Sequence, residues 1–127
     1  MRVVCDHIHL RSPDPEAAAK TYADYFGATI TGREATDDRL RVVVDLGGLK
    51  LLIDRVPSTT TAAPPLPFVG IEHIGLEVED VDAIIAELRR KGAKIVVEPT
   101  TPRPGVRIAF VEGPDAVRVE VLKRSAA

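Results

Sequence analysis

Residues 6–14 read D-H-I-H-L-R-S-P-D and residues 72–80 read E-H-I-G-L-E-V-E-D, so an acid, His, Ile, Leu and Asp recur at an offset of 66. A chain that repeats itself at such a period is built from two copies of one supersecondary unit, and the unit must be read before the fold. Each segment alternates apolar and polar residues like a half-buried strand and ends at an aspartate, Asp14 or Asp80, suited to cap a helix.

The helices follow at once. In the first copy Pro15 takes the tolerated first position, Glu16 favours the positive helix start, and Gly27 terminates a segment whose expected inner stripe is Ala18, Tyr22, Tyr25 and Phe26. In the second, Val81, Ile84, Ile85 and Leu88 fall at helical spacing, and Arg89-Arg90-Lys91 before Gly92 supplies a positively charged end and its cap. After each helix the period changes to two. Strands are expected over Ala28–Glu34, Leu40–Asp45 and Leu49–Arg55, with Gly47-Gly48 as a hairpin turn, and over Lys94–Glu98, Val106–Val111 and Val117–Lys123. Pro57 to Pro67 holds four prolines without apolar periodicity and reads as a surface linker between module 1–56 and module 68–124. The fold class is therefore α+β: two tandem βαβββ modules forming an open eight-stranded half-barrel around a cavity, one domain over 1–127.

Composition removes several function classes. With 45% apolar and 28% charged residues the chain should fold, and its 127 residues allow one compact domain or two small modules sharing a core. A formal charge of -2 with no block of like charge offers no footprint for nucleic acid or a membrane surface. No apolar run approaches a membrane span, and Met1–Asp6 opens a strand pattern rather than a signal peptide, so a cytoplasmic location is expected. The single cysteine, Cys5, makes neither an internal disulfide nor a zinc-thiolate motif and reads as a buried, apolar-like residue.

Chemistry concentrates on the histidines. His7 and His73 occupy the same position in the two repeats, and equivalent imidazoles facing inward can converge as nitrogen donors to one cation. They then need a carboxylate. Glu120 follows His73 by 47 residues and Asp54 follows His7 by 47, which by spacing alone makes them repeat mates. The competing reading of Glu120 is a solvated side chain paired with Arg118. His9 shares the strand face of His7 and is the candidate substrate contact; Glu120, Asp54 and His9 are the candidate bases. Arg103, Arg107 and Arg118 are available to an anionic substrate, and Thr100–Gly105 suits a loop over a cavity mouth or a plain connection.

The stretches D-H-I-H-L-R-S-P-D-P-E-A-A-A-K-T-Y-A-D-Y-F-G, G-I-E-H-I-G-L-E-V-E-D-V-D-A-I-I-A-E-L-R-R-K-G-A and F-V-E-G-P-D-A-V-R-V-E-V-L resemble the vicinal oxygen chelate superfamily over nearly the whole chain. That superfamily includes glyoxalase I, methylmalonyl-CoA epimerase, fosfomycin-resistance thiol transferases, extradiol dioxygenases and bleomycin-sequestering proteins. In look the chain is closest to the glyoxalase I-like and epimerase-like members with a single module pair. The resemblance implies one metal ligand from each of four strands, here His7, a position on the fourth strand, His73 and Glu120. The fourth-strand position falls on Leu52, which cannot ligate; Asp54 shares its strand parity and is the alternative. A site of two His and one carboxylate would leave positions open for a bidentate substrate.

The implied function is a metal-dependent lyase or isomerase of glyoxalase or epimerase type. One divalent ion (Ni, Co, Zn, Mn or Fe) on His7, His73 and Glu120 would stabilise an enolate of a small oxygen-chelating substrate, with Glu120 also catalytic and His9 on the substrate. The resemblance also implies a homodimer. The alternative is a sequestering protein of the bleomycin-resistance type, supported by Leu52, and a ring-cleaving dioxygenase or thiol transferase is a further one.

Overall fold

The computed structural model describes residues 1–125. The chain divides at Ala62/Ala63, inside the proline-rich segment, into two compact units. The first carries β1 (Ile8–Ser12), α1 (Pro15–Phe26), β2 (Thr29–Ala35), β3 (Leu40–Leu46) and β4 (Leu49–Arg55). The second carries β5 (Ile74–Glu77), α2 (Val81–Arg90), β6 (Ile95–Arg103), β7 (Val106–Glu112), a 3-10 turn at Pro114–Ala116 and β8 (Arg118–Arg124). Each forms a four-stranded mixed sheet, ordered β1-β4-β3-β2 in one and β5-β8-β7-β6 in the other. The first two strands of each order run parallel and the remaining pairs antiparallel. The class is α+β, with two tandem βαβββ units and open sheets.

The helices start where the aspartates stand. Asp14 Oδ1 accepts from the Ala17 N–H at 3.1 Å and Asp80 Oδ1 from the Ala83 N–H at 3.0 Å, each satisfying an otherwise unpaired first-turn donor. Gly27, at φ 69°, closes α1 in the left-handed region that a side chain would strain. α1 buries Pro15, Ala18, Ala19 and Tyr22 against β3 and β4, so the expected stripe is shifted: Ala19 replaces Tyr25 and Phe26, which are half-exposed. α2 buries Val81, Ile85 and Leu88.

The sheets answer with one alternating face each. Val42, Val44, Leu46, Leu51 and Ile53 are buried beneath α1, and Ala109, Val111, Val119 and Val121 beneath α2. Each such burial contributes roughly 1.5–3 kcal/mol for a Val, Leu or Ile side chain. The intervening residues point to the opposite face. In the first sheet that face carries His9, Leu52 and Val43 in one row and Arg11, Asp54 and Arg41 in the next. In the second, Gly75, Glu120 and Phe110 form the corresponding row.

Two segments differ from the sequence expectation. β6 runs on through Thr100–Arg103, pairing Thr100 with Ile108 and Arg103 with Val106 across three register shifts, so Thr100–Gly105 is a hairpin end rather than a free loop. Pro99 and Pro102 are tolerated because β6 is an edge strand. His7 and His73 lie one residue before β1 and β5 rather than within them.

Candidate functional site

The second unit brings His73 and Glu120 together. His73 stands at the entrance to β5 and Glu120 in the adjacent β8, whose register places it beside Gly75. A Cβ added at Gly75 would sit 3.5 Å from Glu120 Oε1, an ordinary contact, so only a side chain larger than a methyl would enter the space the carboxylate uses. His73 Nε2 lies 3.5 Å from Glu120 Oε1. Its other nitrogen, Nδ1, donates to Glu72 Oε2 at 2.6 Å, and Arg118 Nη1 donates to Glu72 Oε1 at 2.8 Å. A carboxylate can only accept, so Nδ1 carries a proton toward Glu72, and the ring is oriented with Nε2 toward Glu120. The Glu72 carboxyl is held below its ordinary pKa, first by the hydrogen bond from His73 and further by Arg118, against an opposing contribution from desolvation.

Phe110 completes this arrangement. Its ring meets the His73 imidazole edge-on at 5.0 Å, and the Arg118 guanidinium lies 4.2 Å from its centroid. Arg118 is thus occupied by Glu72 and Phe110, and the surface pairing of Glu120 with Arg118 does not form. Arg107 is also engaged, in a bidentate pair with Asp82.

The first unit repeats the device in simpler form. His7 Nδ1 donates to Asp6 Oδ2 at 2.7 Å, again leaving Nε2 free, but the Asp6 side chain is 77% exposed and has no arginine behind it. His9 Nε2 lies 2.9 Å from Asp54 Oδ2, and Arg41 grips the same carboxylate through Nε at 2.6 Å and Nη2 at 3.0 Å. Asp54 is held below its ordinary pKa chiefly by Arg41, with His9 adding to it. A carboxylate so engaged is a poor substitute ligand. The ladders also decide its repeat relationship: His9–Leu52–Val43 corresponds to Gly75–Glu120–Phe110, so Leu52, not Asp54, is the mate of Glu120. The shared spacing of 47 arises because the second unit takes two more residues to run from the start of its helix to this ladder position, Val81 to Glu120, than the first takes from Pro15 to Leu52.

Among the described residues no group of three His, Cys, Asp or Glu side chains is gathered in metal-holding geometry. What the donor chemistry offers a divalent ion is a His–carboxylate pair on the second unit and a singly oriented His on the first, a nitrogen and oxygen set that suits a borderline cation. Cys5 is exposed rather than buried, in a stretch before β1 whose residues 1–7 are all exposed. Sequence reading missed the roles of Asp6, Glu72, Phe110 and Arg118. The acid before each histidine was visible in the repeat and was the available signal for the first two.

The family model described as Glyoxalase/Bleomycin resistance protein/Dioxygenase superfamily matches residues 4–121. The chain belongs to that superfamily. A probable lactoylglutathione lyase of Synechocystis sp. (strain ATCC 27184 / PCC 6803 / Kazusa) is 42% identical over 57 residues, 44% of this chain and 44% of that protein. A probable chloroplastic lactoylglutathione lyase of Arabidopsis thaliana is 38% identical over 56 residues, 43% of this chain and 16% of that protein. These matches thus span less than half the length of either curated relative. Among solved structures, the trypanothione-dependent glyoxalase I of Leishmania major aligns over 96% of this chain and 87% of its own, with TM-score 0.78 and 22% identity, which establishes the shared fold. No helix among the described residues is long and apolar enough to cross a membrane.

Proposed function

We propose that this superfamily member is a divalent-metal-dependent lyase or isomerase of glyoxalase or epimerase type, acting on a small substrate with neighbouring oxygens and working as a homodimer. The observation that carries the reading is the second unit's chain of contacts, Arg118 to Glu72 to His73, which presents Nε2 beside Glu120. The lactoylglutathione lyase names of the relatives favour the lyase form.

His7, His73 and Glu120 would hold the ion, one of Ni, Co, Zn, Mn or Fe. When bound, the ion supplies Lewis acidity that stabilises negative charge developing on the substrate oxygens. Glu72 and Asp6 keep the Nδ1 protons, so each histidine offers one defined lone pair. Glu120 has no arginine partner among the described residues and retains acceptor capacity for a proton from the carbon beside the carbonyl. His9, anchored by Asp54, contacts the substrate from the first sheet.

The test is conversion of the thiol adduct of an α-ketoaldehyde to its thioester by metal-loaded protein. The expected result is turnover abolished by chelator and reduced about a hundredfold or more by Glu120→Gln. Absence of turnover with every ion, together with chelator-insensitive binding of an apolar ligand, would favour the sequestering role. That second reading draws on Leu52, an apolar residue at the position equivalent to Glu120.

A further inference from the structure

The first unit holds a cavity of about 440 Å³ lined by residues that include Arg11, Arg39, Arg41 and Arg55 with His9, Glu34 and Asp54. Both carboxylates act on the same arginine, Arg41, Asp54 through an ion pair and Glu34 through its nearby charge. Asp54 takes the bidentate pair from Arg41, and Glu34 stands opposite Arg41 in the β2–β3 ladder. Arg11, Arg39 and Arg55 have no carboxylate partner among the described residues. Elsewhere Arg33, Arg41, Arg89, Arg90, Arg107 and Arg118 each pair with an Asp or Glu. Six of the twelve arginines thus show no such partner among the described residues, and three of those six line this one cavity, in a chain with more acidic than basic side chains.

Uncompensated guanidinium groups around a concavity repel one another, and a bound anion relieves that repulsion. Valence selects the anion. The four arginines exceed Glu34 and Asp54 by two charges, of which a single carboxylate would match half, whereas a phosphate monoester brings roughly -1.5 to -2 charges and three strong acceptor oxygens. Guanidinium forks match tetrahedral phosphate oxygens two at a time, which lysine ammonium groups would not. The cavity volume exceeds what a phosphate fills and leaves room for a short organic residue beside His9.

We propose that this cavity binds the phosphate group of a small phosphomonoester, with Arg11, Arg39 and Arg55 as its clamps. That the same molecule is the substrate rests on the metal-enzyme reading above; phosphate binding itself does not.

The experiment is calorimetric titration of the full chain, stripped of metal with a chelator, using inorganic phosphate and, separately, succinate as probes. Saturable phosphate binding is expected, about tenfold or more weaker in Arg39→Ser and in Arg55→Ser, partly retained in Arg55→Lys, and unchanged in Arg33→Ser, whose guanidinium pairs with Glu16. Circular dichroism of each variant separates loss of binding from loss of fold. The proposal is overturned if phosphate does not saturate, if all variants bind alike, or if succinate binds as tightly as phosphate. Titrating a divalent ion into the same preparations keeps the two readings apart. Lost phosphate binding with intact metal binding overturns the anion site alone, and the reverse overturns the metal site alone.

Discussion

Ala116 sits at φ 61° directly after Asp115 at φ 56°, so the turn that delivers β8 holds two successive residues in the left-handed region. Aspartate tolerates that conformation better than alanine, whose Cβ crowds the following carbonyl at a cost of about 1–2 kcal/mol. Ala116→Gly should therefore raise stability by about 1 kcal/mol, read as a higher urea midpoint at constant slope; an unchanged or lower midpoint would contradict the strain. The sequence leaves E-G-P-D-A between two expected strands but does not show which residue carries the positive φ. Residue-level chemistry was similarly half-legible. His7, His9, His73 and Glu120 stand out by type and repetition, while Phe110 looks like any strand aromatic until its ring is seen between His73 and Arg118.

At the scale of elements, the parallel pairing of β5 with β8 is what turns two distant residues into neighbours, and Gly75 opposite Glu120 keeps the space between them open. Gly75→Ala places a methyl group at ordinary contact distance and should leave metal affinity nearly unchanged. Gly75→Leu would fill the carboxylate's space and should weaken divalent-ion affinity about tenfold or more while the unit stays folded, measured by competition with a chromogenic chelator. Equal affinity in the leucine variant would show that Glu120 does not use this space. Helices were legible because caps and stripes are local: Asp14, Asp80 and Gly27 act within one turn of their own chain. The first half of β6 was legible as Lys94–Glu98, but its continuation past Pro99 was not, because that depends on its being at the edge of a sheet, a property of topology rather than of its own residues.

For the whole molecule, the repeat at an offset of 66 made both βαβββ units readable, and it also explains where reading by spacing failed. Equal spacing of 47 paired Asp54 with Glu120, but the ladders equate Glu120 with Leu52, and Arg41 explains why an aspartate stands at position 54 instead. If the two units carry equivalent ligand positions, Leu52→Glu should tighten divalent-ion affinity about tenfold or more, whereas Leu52→Ala should not change it. A glutamate that leaves affinity unaltered would separate the first unit's fourth strand from the metal site. The central claim is that His7, His73 and Glu120 together hold one divalent ion, and the most direct measurement is metal stoichiometry and affinity of chelator-stripped protein against His7→Ala, His73→Ala and Glu120→Gln. One equivalent per chain is expected in the wild type, with affinity falling about a hundredfold or more in each variant while each stays folded. No bound ion in the wild type, or an ion retained equally by all three variants, would contradict it.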